Sequence, residues 1–189
     1  MVGPPTVPLT KPRLGGELSV DAKTVTVGRP SRAELLAQTA LIAGLYGLGT
    51  YAIAPLAFGP VQIRITDALL PISWNRRVGL SGALGVTLGV IASNVISPFG
   101  FPDLVIGTLA NAVVGLLAYW LGRWQSTEVL VLAALQASVV VAFLVGVVLL
   151  GGIYSFDPVA TFASVLAGEL VSCVALGVPL TLAIKSRYR

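Results

Sequence analysis

Residues 129–156 read VLVLAALQASVVVAFLVGVVLLGGIYSF, a run of 28 residues without a single charged side chain. A helix needs about 20 predominantly apolar residues to cross the hydrocarbon core of a bilayer, so this run is long enough to span it. Across all 189 residues, 56% are hydrophobic and only 11% are charged, whereas a soluble domain carries about 25% charged residues. A soluble globule of this size cannot bury so much apolar surface, and disordered chains are poor in apolar residues. The composition therefore predicts an integral membrane protein.

Four other stretches of the chain have the same character. Each is 19 to 29 residues long, and the only charged residue inside any of them is Glu169. Together with the first run they predict five spans, near residues 34–56, 78–97, 103–122, 129–150 and 158–184.

A shorter apolar segment, residues 65–75, decides the topology. About 11 helical residues reach only about 16 Å, so length does not establish a crossing. If the segment crosses, 11 of the 12 basic residues lie on the cytoplasmic side and only Arg64 lies outside. If it does not cross, 5 basic residues lie on the side of the N-terminus and 7 on the opposite side. Because cytoplasmic loops carry an excess of lysine and arginine, the first arrangement is favoured. We predict an all-α integral membrane protein with six transmembrane helices, the second one short, and both termini cytoplasmic.

The regions outside the spans are brief. Residues 1–32 contain four prolines before position 13, which oppose early helix, and we expect a flexible Pro-rich cytoplasmic tail. Residues 18–27 show weak strand-like alternation, so a short hairpin within the tail is an alternative. Residues 33–185 form the predicted six-helix membrane domain, and residues 186–189 form a basic cytoplasmic end. The long apolar stretch after the tail argues against a signal peptide.

The residue inventory excludes several kinds of function. With one cysteine, Cys173, and no histidine, the chain lacks the residues for a disulfide framework, a Cys/His zinc site or histidine-based catalysis. It has no GxxxxGK[ST] phosphate loop and cannot hydrolyse ATP by that route. The basic residues are scattered and aromatic residues make up 7%, which argues against nucleic-acid binding. We expect no cofactor and no metal.

Glycine, alanine and serine recur at four-residue steps in several spans and so share one helical stripe. In lipid, small stripes let helices approach closely, and in the third and fourth spans we interpret them as internal packing. The first span leaves two interpretations open, internal packing or docking onto a separate membrane partner. The candidate docking residues are Ala33, Ala37, Ala40 and Gly44.

Ionisable groups at membrane depth are expensive and are functional hypotheses by default. Glu169 lies eleven residues into its span with no basic neighbour, so it either contacts a polar ligand or belongs to a structural pair or a neutral acid. Asp103 either caps the start of a helix or belongs to a site. Arg64 and Asp67, three residues apart, either pair with each other or face a ligand.

These polar residues fall in the outer half of the predicted bundle or its outer loops, together with Asp157. A pocket that opens outward and is lined by carboxylates and amides suits the capture of a small polar molecule. The candidate substrate-binding residues are Gln62, Arg64, Asp67, Asn94, Asp103, Asn111 and Glu169.

Residues 58–69, FGPVQIRITDAL, resemble the signature of the queuosine-precursor transporter (QueT) family. Further matches are AGLY at 43–46, Asn94 with SPFG at 97–100, Asp103 before GTLA at 107–110, Gly168-Glu169, and LGVPL at 176–180. The resemblance covers about residues 35–185. The family usually has glutamate where this chain has Asp67, and the proline-rich tail is not part of the family pattern.

The resemblance implies a six-helix bundle like the substrate-binding S components of energy-coupling-factor (ECF) transporters. Such a subunit sits in the plasma membrane, captures a small molecule outside and works with a T component and two ATPases. The implied ligand is a 7-deazaguanine precursor of queuosine or archaeosine. An S component for another vitamin, a lipid-acting membrane enzyme and a structural subunit remain alternatives.

The chemistry of such a ligand matches the candidate residues. A guanine-like edge presents a ring N–H beside an exocyclic amine, and one carboxylate, Glu169 or Asp67, can accept both in charge-assisted bonds. The aromatic candidates for stacking on the flat ring are Trp74, Tyr46 and Tyr154.

Overall fold

The computed structural model describes residues 31–58 and 62–187, which form helices and the turns between them. The hairpin considered for residues 18–27 lies outside the described residues, as does the rest of the tail up to residue 30.

The helices follow the predicted spans closely. In chain order they are α1 (Arg32–Ala52), the single turn α2 (Ala54–Ala57), a short 3₁₀ helix (Ile65–Trp74), α3 (Gly79–Asn94), α4 (Gly100–Leu121), α5 (Thr127–Ile153) and α6 (Pro158–Ser186). Four of them, α1, α4, α5 and α6, are long and apolar enough to cross a membrane. The second half of α5, from Ala142, and the middle of α6, from Leu170 to Gly177, widen into π-type turns.

The surface of the bundle is apolar. Large hydrophobic side chains stand well exposed on several helices, such as Leu48 at 75%, Phe101 at 74% and Val159 at 76%. Contiguous apolar surface on this scale is typical of a protein embedded in lipid rather than in water.

The short helix runs through the middle of the bundle and contacts α1, α3, α4, α5 and α6. Its Leu70 and Trp74 side chains are fully buried. Because a 3₁₀ helix rises about 2.0 Å per residue, its 10 residues reach about 20 Å, further than the α-helical geometry assumed from sequence. The helix therefore separates two ends of the bundle, with Arg64 at its start and Trp74 at its end.

Two of the acidic residues cap the N-termini of helices. Ser31 and Glu34 form a capping box at the start of α1. The Asp157 carboxylate accepts a hydrogen bond from the Ala160 amide at 2.7 Å and caps α6. Asp157 is exposed and takes no part in the polar cluster described below, although the sequence grouped it with the outer acids.

Small residues let the helices pack backbone to side chain. A Cβ atom on Gly85 would lie 2.7 Å from Ile42 Cβ, and one on Gly89 would lie 2.6 Å from Tyr46 Cβ. On α4, a Cβ on Gly115 would lie 3.0 Å from Ala83 Cα. The small stripes of α3 and α4 thus serve internal packing against α1 and each other.

We predict that Gly89→Ala lowers the free energy of unfolding by about 1–3 kcal/mol, because the added methyl overlaps Tyr46 in a packed interface. Gly44→Ala is the matched control, since no atom lies within 4 Å of a Cβ at that position. Both are measured by detergent-titrated unfolding of the purified protein. Equal stability of the two variants would contradict the observed α1–α3 packing.

Candidate functional site

All seven candidate substrate-binding residues are buried, none with more than 4% of its surface exposed. We call them the buried polar cluster; its members are Gln62, Arg64, Asp67, Asn94, Asp103, Asn111 and Glu169. They come from the loop before the short helix, the short helix itself, α3, α4 and α6. Five separate segments therefore converge on one end of the bundle.

Arg64 pairs with Asp103 rather than with its sequence neighbour Asp67. Its Nη2 atom lies 3.5 Å from Asp103 Oδ2, and its Nε donates to the Ala57 carbonyl at 3.4 Å. The guanidinium also lies over the Phe58 ring, 5.0 Å from the centroid. A guanidinium held by an ion pair, a carbonyl and an aromatic face has a fixed position from which to act on a ligand.

Asp103 is not a helix cap. The N-cap position of α4 is Phe99, and no side chain caps that helix. Instead, Asp103 Oδ2 accepts a hydrogen bond from the Ser97 hydroxyl at 2.5 Å and faces Arg64. Asp103 therefore does not cap α4, but it does lie in the first turn of that helix, where the helix dipole favours a carboxylate. It also belongs to the cluster through its contacts with Ser97 and Arg64.

Asp67 and Glu169 meet in the centre of the cluster, where their carboxyl groups contact each other. The Tyr46 hydroxyl donates to Asp67 Oδ1. The Cys173 sulfur lies 3.3 Å from both Glu169 Oε2 and the Asp67 carbonyl oxygen. Arg64 lies close enough to interact electrostatically with both acids as well as with Asp103.

Two asparagines border this charged centre. Asn94 Nδ2 donates to the Asp103 carbonyl at 3.0 Å, and Asn111 Nδ2 donates to the Val86 carbonyl at 3.3 Å. The Asn111 amide also lies within hydrogen-bonding reach of the Tyr46 hydroxyl. A Cβ on Gly107 would lie 2.4 Å from Asn94 Nδ2, so only glycine leaves room for this amide.

Gln62 joins the cluster through its main chain. A Cβ atom on Gly168 would lie 2.0 Å from the Gln62 carbonyl oxygen, which is a clash that no side-chain movement relieves. Glycine at position 168 thus lets the loop before the short helix rest directly on α6, beside Glu169.

Within the described part of the chain, two polar atoms of the cluster are buried with no hydrogen-bond partner, Asn94 Oδ1 and Asp103 Oδ1. Arg64 Nη2 likewise makes no hydrogen bond there and has only its ion pair with Asp103. Most buried polar groups in proteins are paired, so unpaired ones need an explanation such as an absent ligand. The cluster also holds three carboxyl groups against one guanidinium. Such an arrangement can accept N–H donors and can balance a positively charged ligand.

The sequence did not predict some contacts of the site. The Ser97 hydroxyl contacts Asp103, and the Cys173 sulfur contacts Glu169. Tyr46 is fully buried, so it contributes its hydroxyl to the site and has no open ring face for stacking. The prediction that Trp74 stacks on the ligand is wrong. Trp74 lies at the end of the short helix that is farther from the cluster, and its indole N–H donates to the Trp124 carbonyl at 2.9 Å. The Tyr154 hydroxyl bonds to the Phe99 carbonyl, and its ring stands edge-on to Phe99.

The candidate docking residues lie on a separate, outward-facing surface of α1. Ala33, Ala37 and Ala40 are exposed, and Gly44 has open space where a Cβ would be. A groove of about 490 Å³ follows this surface, lined by Ala40, Leu41, Gly44, Leu45, Leu48 and Gly49. We refer to it as the α1 groove.

Comparison with known proteins gives one match. Residues 36–186 match the family model described as QueT transporter. No curated protein and no solved structure matches the chain.

We predict that the Arg64–Asp103 contact is energetically coupled. Arg64→Gln and Asp103→Asn should each lower the free energy of unfolding by about 3–5 kcal/mol, because each leaves an uncompensated buried charge. The double variant should lose clearly less than the sum of the two.

Detergent-titrated unfolding of all four proteins measures this coupling. Asp157→Asn, which touches only a helix cap, is the control and should lose about 1 kcal/mol at most. Strictly additive losses at Arg64 and Asp103 would show that the two side chains do not interact.

Proposed function

Because this chain belongs to the QueT transporter family, we propose that it is the substrate-binding S component of an ECF-type importer for a 7-deazaguanine precursor of queuosine or archaeosine. Family membership makes it a multi-pass membrane transporter protein and not an enzyme. The finer assignment of subunit and ligand is supported by the chemistry of the buried polar cluster.

The observation that carries this proposal is that buried polar atoms of Arg64, Asn94 and Asp103 make no hydrogen bond within the described residues. A deazaguanine carries a carbonyl that accepts a hydrogen bond and, next to it, N–H groups that donate. Arg64 or an asparagine amide supplies donors for the carbonyl, and a carboxylate accepts the ring N–H and the exocyclic amine together. We assign the carboxylate role to Glu169, with Asp67 beside it.

The charge balance of the cluster favours one form of the ligand. Asp103 is paired with Arg64, whereas Asp67 and Glu169 contact each other and hold one proton between them. The cluster thus keeps one carboxylate charge without a cation, and burying it costs several kcal/mol. A ligand with an ammonium group compensates this excess, whereas a nitrile does not. The proposed ligand is therefore the aminomethyl form of the deazaguanine.

The proposed topology keeps six crossings with both termini cytoplasmic. The short helix, with its reach of about 20 Å, is the second crossing. This arrangement leaves Arg64 as the one outer basic residue and puts the buried polar cluster towards the outside, where ligand arrives. The α1 groove then faces the lipid and is open to a membrane partner.

That partner is proposed to be the T component of the transporter, which joins the S component to two ATPases. Small residues on both surfaces allow helices to approach closely in lipid, where there is little hydrophobic force between them. The α1 groove is lined by Ala40 and Gly44 and offers such a surface.

We predict that Glu169→Gln weakens 7-deazaguanine binding at least about tenfold, because a neutral amide loses the charge-assisted bonds and presents one acceptor instead of two. Isothermal titration calorimetry on the purified protein measures the loss. Glu128→Gln, an exposed acid in the first turn of α5, is the control and should bind as the parent does. Unchanged affinity in Glu169→Gln would remove the residue from the site.

We predict that Ala37→Leu combined with Ala40→Leu abolishes transport but keeps ligand binding, because two leucine side chains on the exposed surface of α1 prevent a partner helix from approaching closely. Uptake is measured in vesicles that also contain a T component and two ATPases. The control pair is Ala175→Leu with Ala183→Leu, two exposed alanines on α6. Full uptake by the α1 variant would mean that docking occurs elsewhere.

A further inference from the structure

A second cavity lies at the opposite end of the bundle from the buried polar cluster. It has a volume of about 560 Å³ and is lined mainly by Ser73, Trp74, Arg76, Tyr119, Trp120 and Arg123. We call it the basic cavity, because its lining includes two arginines and no acidic residue. The function proposed above makes no use of it.

The two guanidinium groups are held in place at this cavity. Arg76 donates from Nη2 to the Arg123 carbonyl at 2.7 Å and from Nε to the Gly122 carbonyl at 3.4 Å. The Arg123 guanidinium lies over the rings of Trp120 and Trp124, 4.8 and 5.5 Å from their centroids. A guanidinium has five N–H donors, so these contacts leave Arg76 with donors to offer an anion.

A buried hydroxyl completes the polar wall. Ser73 is 1% exposed and lines the cavity, and its Oγ has no hydrogen-bond partner among residues 31–58 and 62–187. A hydroxyl in this position can donate to an oxygen atom of a bound group. The unpaired Ser73 Oγ is an observation independent of the arginines, and it points to a ligand with oxygen acceptors.

The aromatic residues around the cavity indicate where it lies relative to lipid. Tyr119, Trp120 and Trp124 are each about half exposed, at 49%, 50% and 48%, near the end of α4. Half-exposed tryptophan and tyrosine at a helix end are typical of the headgroup level of a bilayer. An anion in this cavity therefore lies beside the acyl chains and headgroups of neighbouring lipids.

We propose that the basic cavity binds the phosphate of an anionic phospholipid headgroup. Arg76 and Arg123 contact the phosphate oxygens, a geometry for which the guanidinium fork is suited, and Ser73 donates from the inner wall. Basic pockets between helices are a common means of holding anionic headgroups. The site does not depend on which deazapurine or vitamin the protein carries.

Native mass spectrometry of the purified protein, titrated with phosphatidylglycerol or with phosphatidylcholine in detergent micelles, tests this site. The parent should retain phosphatidylglycerol in preference to phosphatidylcholine. Arg76→Gln combined with Arg123→Gln should weaken phosphatidylglycerol binding about 30-fold, which corresponds to about 1 kcal/mol for each charge. Calorimetric 7-deazaguanine binding should remain unchanged in the same variant, because the two sites lie at opposite ends of the short helix.

Arg32→Gln combined with Arg187→Gln is the matched control, because it removes two exposed charges from outside the cavity lining. An equal loss in this control would mean a general effect of net charge and would overturn the proposal, as would full retention in the Arg76 and Arg123 variant. Displacement of phosphatidylglycerol by millimolar inorganic phosphate would identify a free-phosphate site instead.

Ser73→Ala provides a second variant if the double arginine variant does not fold. It should weaken phosphatidylglycerol binding several-fold, because it removes one hydrogen bond worth about 1 kcal/mol, while leaving the charge unchanged. Unaltered binding in Ser73→Ala, in a protein of parental thermal stability, would contradict the proposed geometry. Loss of T-component association without any loss of lipid binding would assign the cavity to a protein partner.

Discussion

One guanidinium facing three buried carboxyl groups is the constraint on which the rest of the structure depends. Arg64 contacts Asp103 directly and interacts with Asp67 and Glu169, and all four side chains are almost completely buried. Charges in such a place are tolerated only with close partners. The loop before the short helix, the short helix, α4 and α6 must therefore meet at this one point.

Glycines at the contact points make that convergence possible. Gly168 lets the Gln62 carbonyl rest on α6, Gly107 makes room for the Asn94 amide, and Gly177 brings α6 against the Ala68 carbonyl of the short helix. In each case a single methyl group would overlap a neighbouring atom. The close approach of the backbones is therefore what allows the polar side chains of the cluster to meet.

The sequence predicted much of this because its signals are local. Uncharged runs predicted the positions of the long helices, and an acid such as Glu169 inside such a run is exceptional enough to single out. The contacts between distant residues could not be read in the same way. Nothing around Arg64 indicates that Asp103, thirty-nine positions away, is nearer to it than Asp67. Trp74 was misassigned for a related reason, because only the extended 3₁₀ geometry shows how far it lies from the cluster.

We propose that the buried polar cluster binds a 7-deazaguanine. The most direct measurement is calorimetric titration of the purified protein with 7-deazaguanine in its aminomethyl, nitrile and unsubstituted forms, alongside thiamine, biotin and riboflavin. We expect saturable one-to-one binding of the deazaguanines, tightest for the aminomethyl form, and no binding of the three vitamins. Tight binding of a vitamin with no response to any deazaguanine would contradict it.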